Sequence, residues 1–153
     1  MADWRDWLRQ AEEHFDRKEF DQAADLAGRV LLANPACAGA HQVVGLVNSE
    51  EGRPHDAIPR LTRALALQPD LLPAHNGLGR CYALLGELDQ ALHHLDIALL
   101  LQPDHAFAHF NRAVILLKLG RWREGWLVTG KGDSRPRSLA RLLISCAVRK
   151  VNL

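Results

Sequence analysis

The chain has 153 residues, 48% of them hydrophobic and 24% charged, with a formal net charge of +1. That composition excludes a disordered or low-complexity chain and bounds the protein to one ordinary domain or a short repeat array. A net charge so near zero supplies no general attraction to nucleic acid or to an acidic membrane surface. The charge is unevenly spread, however. Residues 131–153 carry six cations against the single carboxylate Asp133, a net +5, which leaves −4 over residues 1–130.

The three cysteines, Cys37, Cys81 and Cys146, form no C-x-x-C pair and are odd in number. Neither a disulfide framework nor a structural zinc site is suggested, and buried free thiols in a reducing compartment are expected. The segment Met1–Trp7 is too polar for a signal-peptide core, and the apolar run Ile97–Leu101 is far short of a membrane span. The cytoplasm is the expected location.

Self-similarity organises the rest. Pro35, Pro69 and Pro103 are 34 residues apart, as are Gly52, Gly86 and Gly120, and as are Ala23, Ala57 and Ala91. His41, His75 and His109 form a further series. A fixed period of this length marks stacked supersecondary units, here spanning about 4–37, 38–71, 72–105 and an incomplete 106–129.

In chain order, the first unit opens near Trp4 and ends at Asn34-Pro35, with Lys18 at the turn where the later units have glycine. The second is expected to run from Ala38 to Glu51 and from Pro54 to Gln68, with Pro59 removing one backbone bond and bending its second helix. In the third, helices are expected over Ala74–Leu85 and Leu88–Leu101. Gly86 turns between them, and the small residues Gly79 and Ala91 sit where the two should cross. Leu78, Tyr82, Leu95 and Leu99 fill the space beside that crossing. The fourth unit opens over Ala106–Leu119, turns at Gly120 and starts a second helix at Trp122. The breaker-rich stretch 130–136 then ends the pattern. A basic amphipathic helix is expected within 134–150, with Leu139, Leu142, Leu143 and Val148 apolar. It is read as a cap on the last unit's apolar face, or else as a projection toward a partner, a second copy or an acidic surface.

The phased residues closely resemble the tetratricopeptide repeat family. The third unit shows His75-x2-Leu78-Gly79-x2-Tyr82, then Gly86, Ala91-x3-Leu95, Ala98 and Pro103. The second shows His41, Val44, Gly45, Asn48, Gly52, Ala57, Leu61, Ala64 and Pro69. The fourth keeps His109, Arg112, Ala113, Leu116 and Gly120, and the first is looser. Departures are specific: histidine replaces the usual aromatic in three units, Asn48 and Leu116 replace a tyrosine, and Arg112 replaces a leucine. The segment 119–126 also looks like the end of repeat blocks that bacterial proteins fuse to glycosyltransferases. A chain of 153 residues leaves no room for a transferase domain, so no activity is implied.

The resemblance implies an all-α, right-handed superhelical array of antiparallel helix pairs, with the C-terminal helix as its cap. It also implies that the first helix of each pair lines a concave groove. Aligned groove positions include Arg5, Leu8, Glu12 and Phe15 in the first unit. The candidate peptide-binding residues are Gln42, Asn76, Arg80, Phe107, Phe110, Asn111 and Lys118. The amides of Gln42, Asn76 and Asn111 can both donate to and accept from an extended backbone. Arg80 and Lys118 suit a carboxylate, and Phe107 and Phe110 an apolar anchor, or else they pack on the C-terminal helix.

The signature histidines recur one helix-pair width apart, about 10 Å, so they cannot share one metal ion, whose nitrogen ligands lie about 2 Å away. They are read as packing residues. His93 and His94 are neighbours on a helix and face different ways. No P-loop, H-E-x-x-H or G-x-S-x-G occurs. The expectation is therefore a non-enzymatic scaffold for a protein or peptide, with no catalytic residues, metal or cofactor. Self-association through the C-terminal helix and the Trp4/Trp7 and Trp122/Trp126 pairs is the alternative. Salt-sensitive binding of nucleic acid or membrane by residues 131–150 ranks third.

Overall fold

The computed structural model describes residues 3–121, and these are seven helices with no strand among them. They are α1 (Trp4–Asp16), α2 (Phe20–Ala33), α3 (Ala38–Glu50), α4 (Pro54–Leu67), α5 (Leu72–Leu84), α6 (Leu88–Leu101) and α7 (Ala106–Lys118). The helix expected from Trp122 and the basic helix within 134–150 lie outside the described residues.

Each hairpin closes the same way. The residue after the helix cap is left-handed: Lys18 at φ 62°, Gly52 at 72°, Gly86 at 80° and Gly120 at 71°. The next amide then reaches back to a carbonyl left orphaned by the helix end. Glu19 N–H donates to His14 C=O at 2.9 Å, Arg53 to Asn48 at 2.9 Å, Glu87 to Tyr82 at 2.9 Å and Arg121 to Leu116 at 2.8 Å. Lys18 thus occupies a conformation that its Cβ resists and glycine accepts. Helix α5 begins two residues earlier than the sequence suggests. Pro73 falls in its first turn, where the missing N–H has no helical partner to lose. Pro59 lies inside α4, which stays helical from Pro54 to Leu67. The carbonyl it leaves unbonded belongs to His55, which is exposed and so reachable by water.

Packing sets the array. Within units, α1 packs on α2, α3 on α4 and α5 on α6; between units, α2 meets α3, α4 meets α5 and α6 meets α7. The first helices also touch in succession, α1 on α3, α3 on α5 and α5 on α7, whereas α2, α4 and α6 make no comparable contact with one another. A stack whose first helices meet and whose second helices splay is curved, with the first helices on the inner side.

Small residues permit the close approach. A Cβ on Gly79 would stand 2.8 Å from Leu95 Cγ and 3.4 Å from the Ala91 carbonyl oxygen. Leu61 is fully buried between Gly45 of its own hairpin and Gly77 of the next. A Cβ at Gly45 would be 2.6 Å from Leu61 Cγ, and one at Gly77 would be 2.9 Å from Leu61 Cδ1. The core is accordingly a chain of clusters, one for each junction. Ala23, Ala27, Val30, Val43 and Val47 form the first, Ala57, Leu61, Ala74 and Leu78 the middle, and Ala91, Leu95, Ala98, Ile115 and Leu116 the last.

Candidate functional site

The inner wall is built from positions that repeat along α1, α3, α5 and α7. Gln42, Asn76 and Phe110 are 34 residues apart on helices that touch in succession, so they form one row across the curve. Gly39, Pro73 and Phe107 form a second row, one turn toward the helix N-termini.

Burial changes what these rows offer. Asn76 is 9% exposed, and its Oδ1 is buried with no hydrogen-bond partner. Gln42 Oε1 and Asn111 Nδ2 are likewise buried and unpartnered. An orphaned buried amide atom costs about 1–3 kcal/mol. Being buried, these three atoms meet an occupant of the inner side only if their side chains turn outward. The apolar part of the wall is open: Phe107 is 54% and Phe110 51% exposed, and Leu117 is also exposed. Lys118, at the last turn of α7, is exposed.

Arg80 is engaged rather than free. One guanidinium nitrogen pairs with the Glu50 carboxylate and another donates to the Ser49 carbonyl, so Arg80 caps the C-terminal end of α3 from the next unit. Beneath it, Cys81 Sγ lies 3.4 Å from Ser49 Oγ, and burial pushes the thiol above its ordinary range. At the start of the wall, partial burial, together with the nearby Asp16 charge, pushes the Glu12 carboxyl upward. Arg5 does not point into a shared site: it pairs with Asp3 and lies over the Trp4 ring at 4.6 Å.

The signature histidines are structural joints. His41 Nε2–H donates to the Pro35 carbonyl at 2.9 Å, His75 to Pro69 at 3.0 Å and His109 to Pro103 at 2.6 Å. Each ties the start of a unit to the proline that ended the previous one. Arg112, in a position usually held by leucine, tucks its stem inward and donates from Nε to Asp96 at 2.5 Å.

Residues 49–109 match the family model described as tetratricopeptide repeat. A variant of the Thermobaculum terrenum O-GlcNAc transferase superposes with a TM-score of 0.70 at 28% identity over 76% of this chain. The chain has the tetratricopeptide-repeat fold. It spans 23% of that transferase's length. The first tetratricopeptide domain of Spaghetti (RPAP3), solved with the HSP90 peptide SRMEEVD, gives 0.68 at 18% identity, covering 74% of this chain and 90% of that one. A crystal structure of MamA gives 0.72 at 18% identity, covering 99% of this chain and 82% of that one. No curated protein matches the chain in sequence.

Within this tetratricopeptide array, sequence reasoning missed two arrangements. The first is the Arg80–Glu50 tie, which joins residues 30 apart in adjacent units. The second is a meeting of His75 with His94 across the third hairpin, at 3.2 Å between Nδ1 atoms. For Arg80 a signal existed: an arginine one repeat minus four residues after a glutamate at a helix end. For His94 the signal is its phase, one residue before the buried Leu95.

Proposed function

We propose that the chain is a non-enzymatic scaffold that holds an extended protein or peptide segment along its inner wall. The observation that carries this reading is the set of unpartnered buried amide atoms on consecutive first helices, Gln42 Oε1, Asn76 Oδ1 and Asn111 Nδ2. An extended backbone offers N–H and C=O groups in alternation along its length, the chemistry these atoms lack. Phe107 and Phe110 then form an apolar floor at the α7 end, where aromatic anchors contribute most to binding. The structure with the HSP90 peptide belongs to a protein of the same fold, which supports peptide capture as a use of this architecture.

Charge recognition enters by exchange. Because Arg80 already holds Glu50, an acidic ligand residue would have to displace an internal carboxylate, so acidic side chains contribute less here than they would to a free arginine. The preformed wall orders little on binding and loses little entropy.

A peptide array probed with the whole chain and with Asn76→Ala, Asn111→Ala and Phe110→Ala variants tests the reading. Loss of about 1 kcal/mol or more per amide, roughly fivefold in Kd, is expected for bound peptides. Binding of every captured peptide that is indifferent to all three changes refutes the groove. The rival reading, self-association, draws on the exposed Phe107, Phe110 and Leu117 of α7. Light scattering of the whole chain against its Phe107→Ala/Phe110→Ala variant separates the two: a monomer in both at high concentration removes self-association.

A further inference from the structure

His75 and His94 lie on the two helices of the third hairpin, α5 and α6. Their Nδ1 atoms face each other at 3.2 Å. Of the three signature histidines, His41 and His109 keep a buried Nδ1 with no partner. The third unit alone sets a second imidazole opposite that atom.

The chemistry of His75 is fixed by its other nitrogen. The Pro69 carbonyl can only accept, so the hydrogen on the neutral ring sits on Nε2 and the Nδ1 lone pair points at His94. This is the arrangement seen behind metal-ligating histidines, where the far N–H is held by a backbone carbonyl and the ring is oriented by it. His94 is held as firmly by other means. Its ring stacks on Tyr82 with centroids 5.6 Å apart and planes 4° from parallel, and His93 packs against its edge.

We propose that the Nδ1 atoms of His75 and His94 form a two-imidazole site for a borderline divalent cation of the Zn²⁺, Cu²⁺ and Ni²⁺ class, with water completing the coordination. Two nitrogens each about 2.0–2.1 Å from a tetrahedral zinc are separated by roughly 3.3 Å, close to the gap already present. Imidazole pairs favour this class of ion over Ca²⁺ or Mg²⁺, which take oxygen ligands. Without metal, the Nδ1–H of His94 donates to His75 Nδ1. On binding, that proton moves through solvent to His94 Nε2, so the step releases no net proton. Burial, with His75 and His93 beside it, pushes the His94 pKa down to about 4. Among the described residues no group of three or more His, Cys, Asp or Glu side chains could hold a metal ion. The site is therefore of modest affinity, and it pins α5 to α6 rather than supplying a reaction centre.

The test is a calorimetric titration of the whole chain with Zn²⁺ near neutral pH, with nitrogen-detected NMR of the imidazoles alongside. One ion is expected to shift the Nδ1 resonances of both His75 and His94. His94→Phe, which keeps a ring to stack on Tyr82, is expected to weaken binding about tenfold or more. His93→Ala and His14→Ala, the latter removing the separate His14–Glu19 pair, are expected to leave it within roughly twofold. Undisturbed Nδ1 resonances at saturating Zn²⁺ overturn the proposal, whatever the fate of the variant. So does unchanged affinity in a folded His94→Phe protein.

Discussion

Replacing one glycine by alanine at two helical sites should move stability in opposite directions, and the structure says why. Gly28 lies inside α2, and a Cβ there meets nothing within 4 Å. Gly45 lies inside α3, and a Cβ there would stand 2.6 Å from Leu61 Cγ, 2.7 Å from Leu61 Cδ2 and 3.1 Å from the Leu61 backbone nitrogen. Both substitutions gain the helix preference of alanine over glycine, about 0.5–1 kcal/mol. Only Gly45→Ala must also push α4 away, because the third contact is backbone and cannot rotate aside. Overpacking of that kind costs about 1–3 kcal/mol. The net expectation is a gain of about 0.5–1 kcal/mol for Gly28→Ala and a loss of roughly 1–2 kcal/mol for Gly45→Ala. In midpoint temperature these are a rise of about 2–3 °C and a fall of roughly 3–6 °C. Urea unfolding followed by circular dichroism, with calorimetry for the midpoint, reads both. Leu61→Ala should cost less in the Gly45→Ala background than alone, since it removes the crowding that the new methyl creates. Equal and favourable shifts for the two glycines would refute the close approach of α3 to α4.

Three further outcomes are expected. Lys18→Gly should stabilise the first hairpin by about 1 kcal/mol, read by the same unfolding assay, because Lys18 holds φ at 62° where glycine carries no steric penalty. Gly86→Ala at φ 80° should cost a similar amount in the third hairpin by the same argument, although no neighbour is struck. Glu12 should make stability pH-dependent. Its folded pKa is raised, so its contribution is fully present below the ordinary value of 4.5 and is lost as pH rises through the folded value. Glu12→Gln should therefore match the parent in acid and be the more stable near neutral pH, by an amount that solvent screening keeps small, as measured by urea midpoints across that range.

The fold was legible because its determinants are local and repeated. Pro69, Gly86 and Ala91 each speak for their own few residues, and the 34-residue recurrence multiplies a weak signal into a firm one. The close approach at Gly79 was readable for the same reason, since a small residue at a helix crossing has few other uses. The groove was legible in its rows and not in its chemistry. Asn76 looks like an exposed polar residue on a first helix, and it is buried because Gly77 beside it lets α5 settle against Leu46 and Leu61. Arg80 looks available and is spent on Ser49 and Glu50, a contact that depends on the offset between units. His94 could not be told from His93 by spacing alone. A rotation of α6 by one residue exchanges which ring meets His75, and that rotation is set by packing around Leu95.

The bonds from His41, His75 and His109 to the preceding prolines have a mechanical consequence. Each one stiffens the elbow between neighbouring modules, so bending is resisted at three fixed hinges rather than spread along the molecule. The pitch of the spiral is then set before any guest arrives. Loosening one elbow should widen the spiral locally while leaving the modules on either side intact.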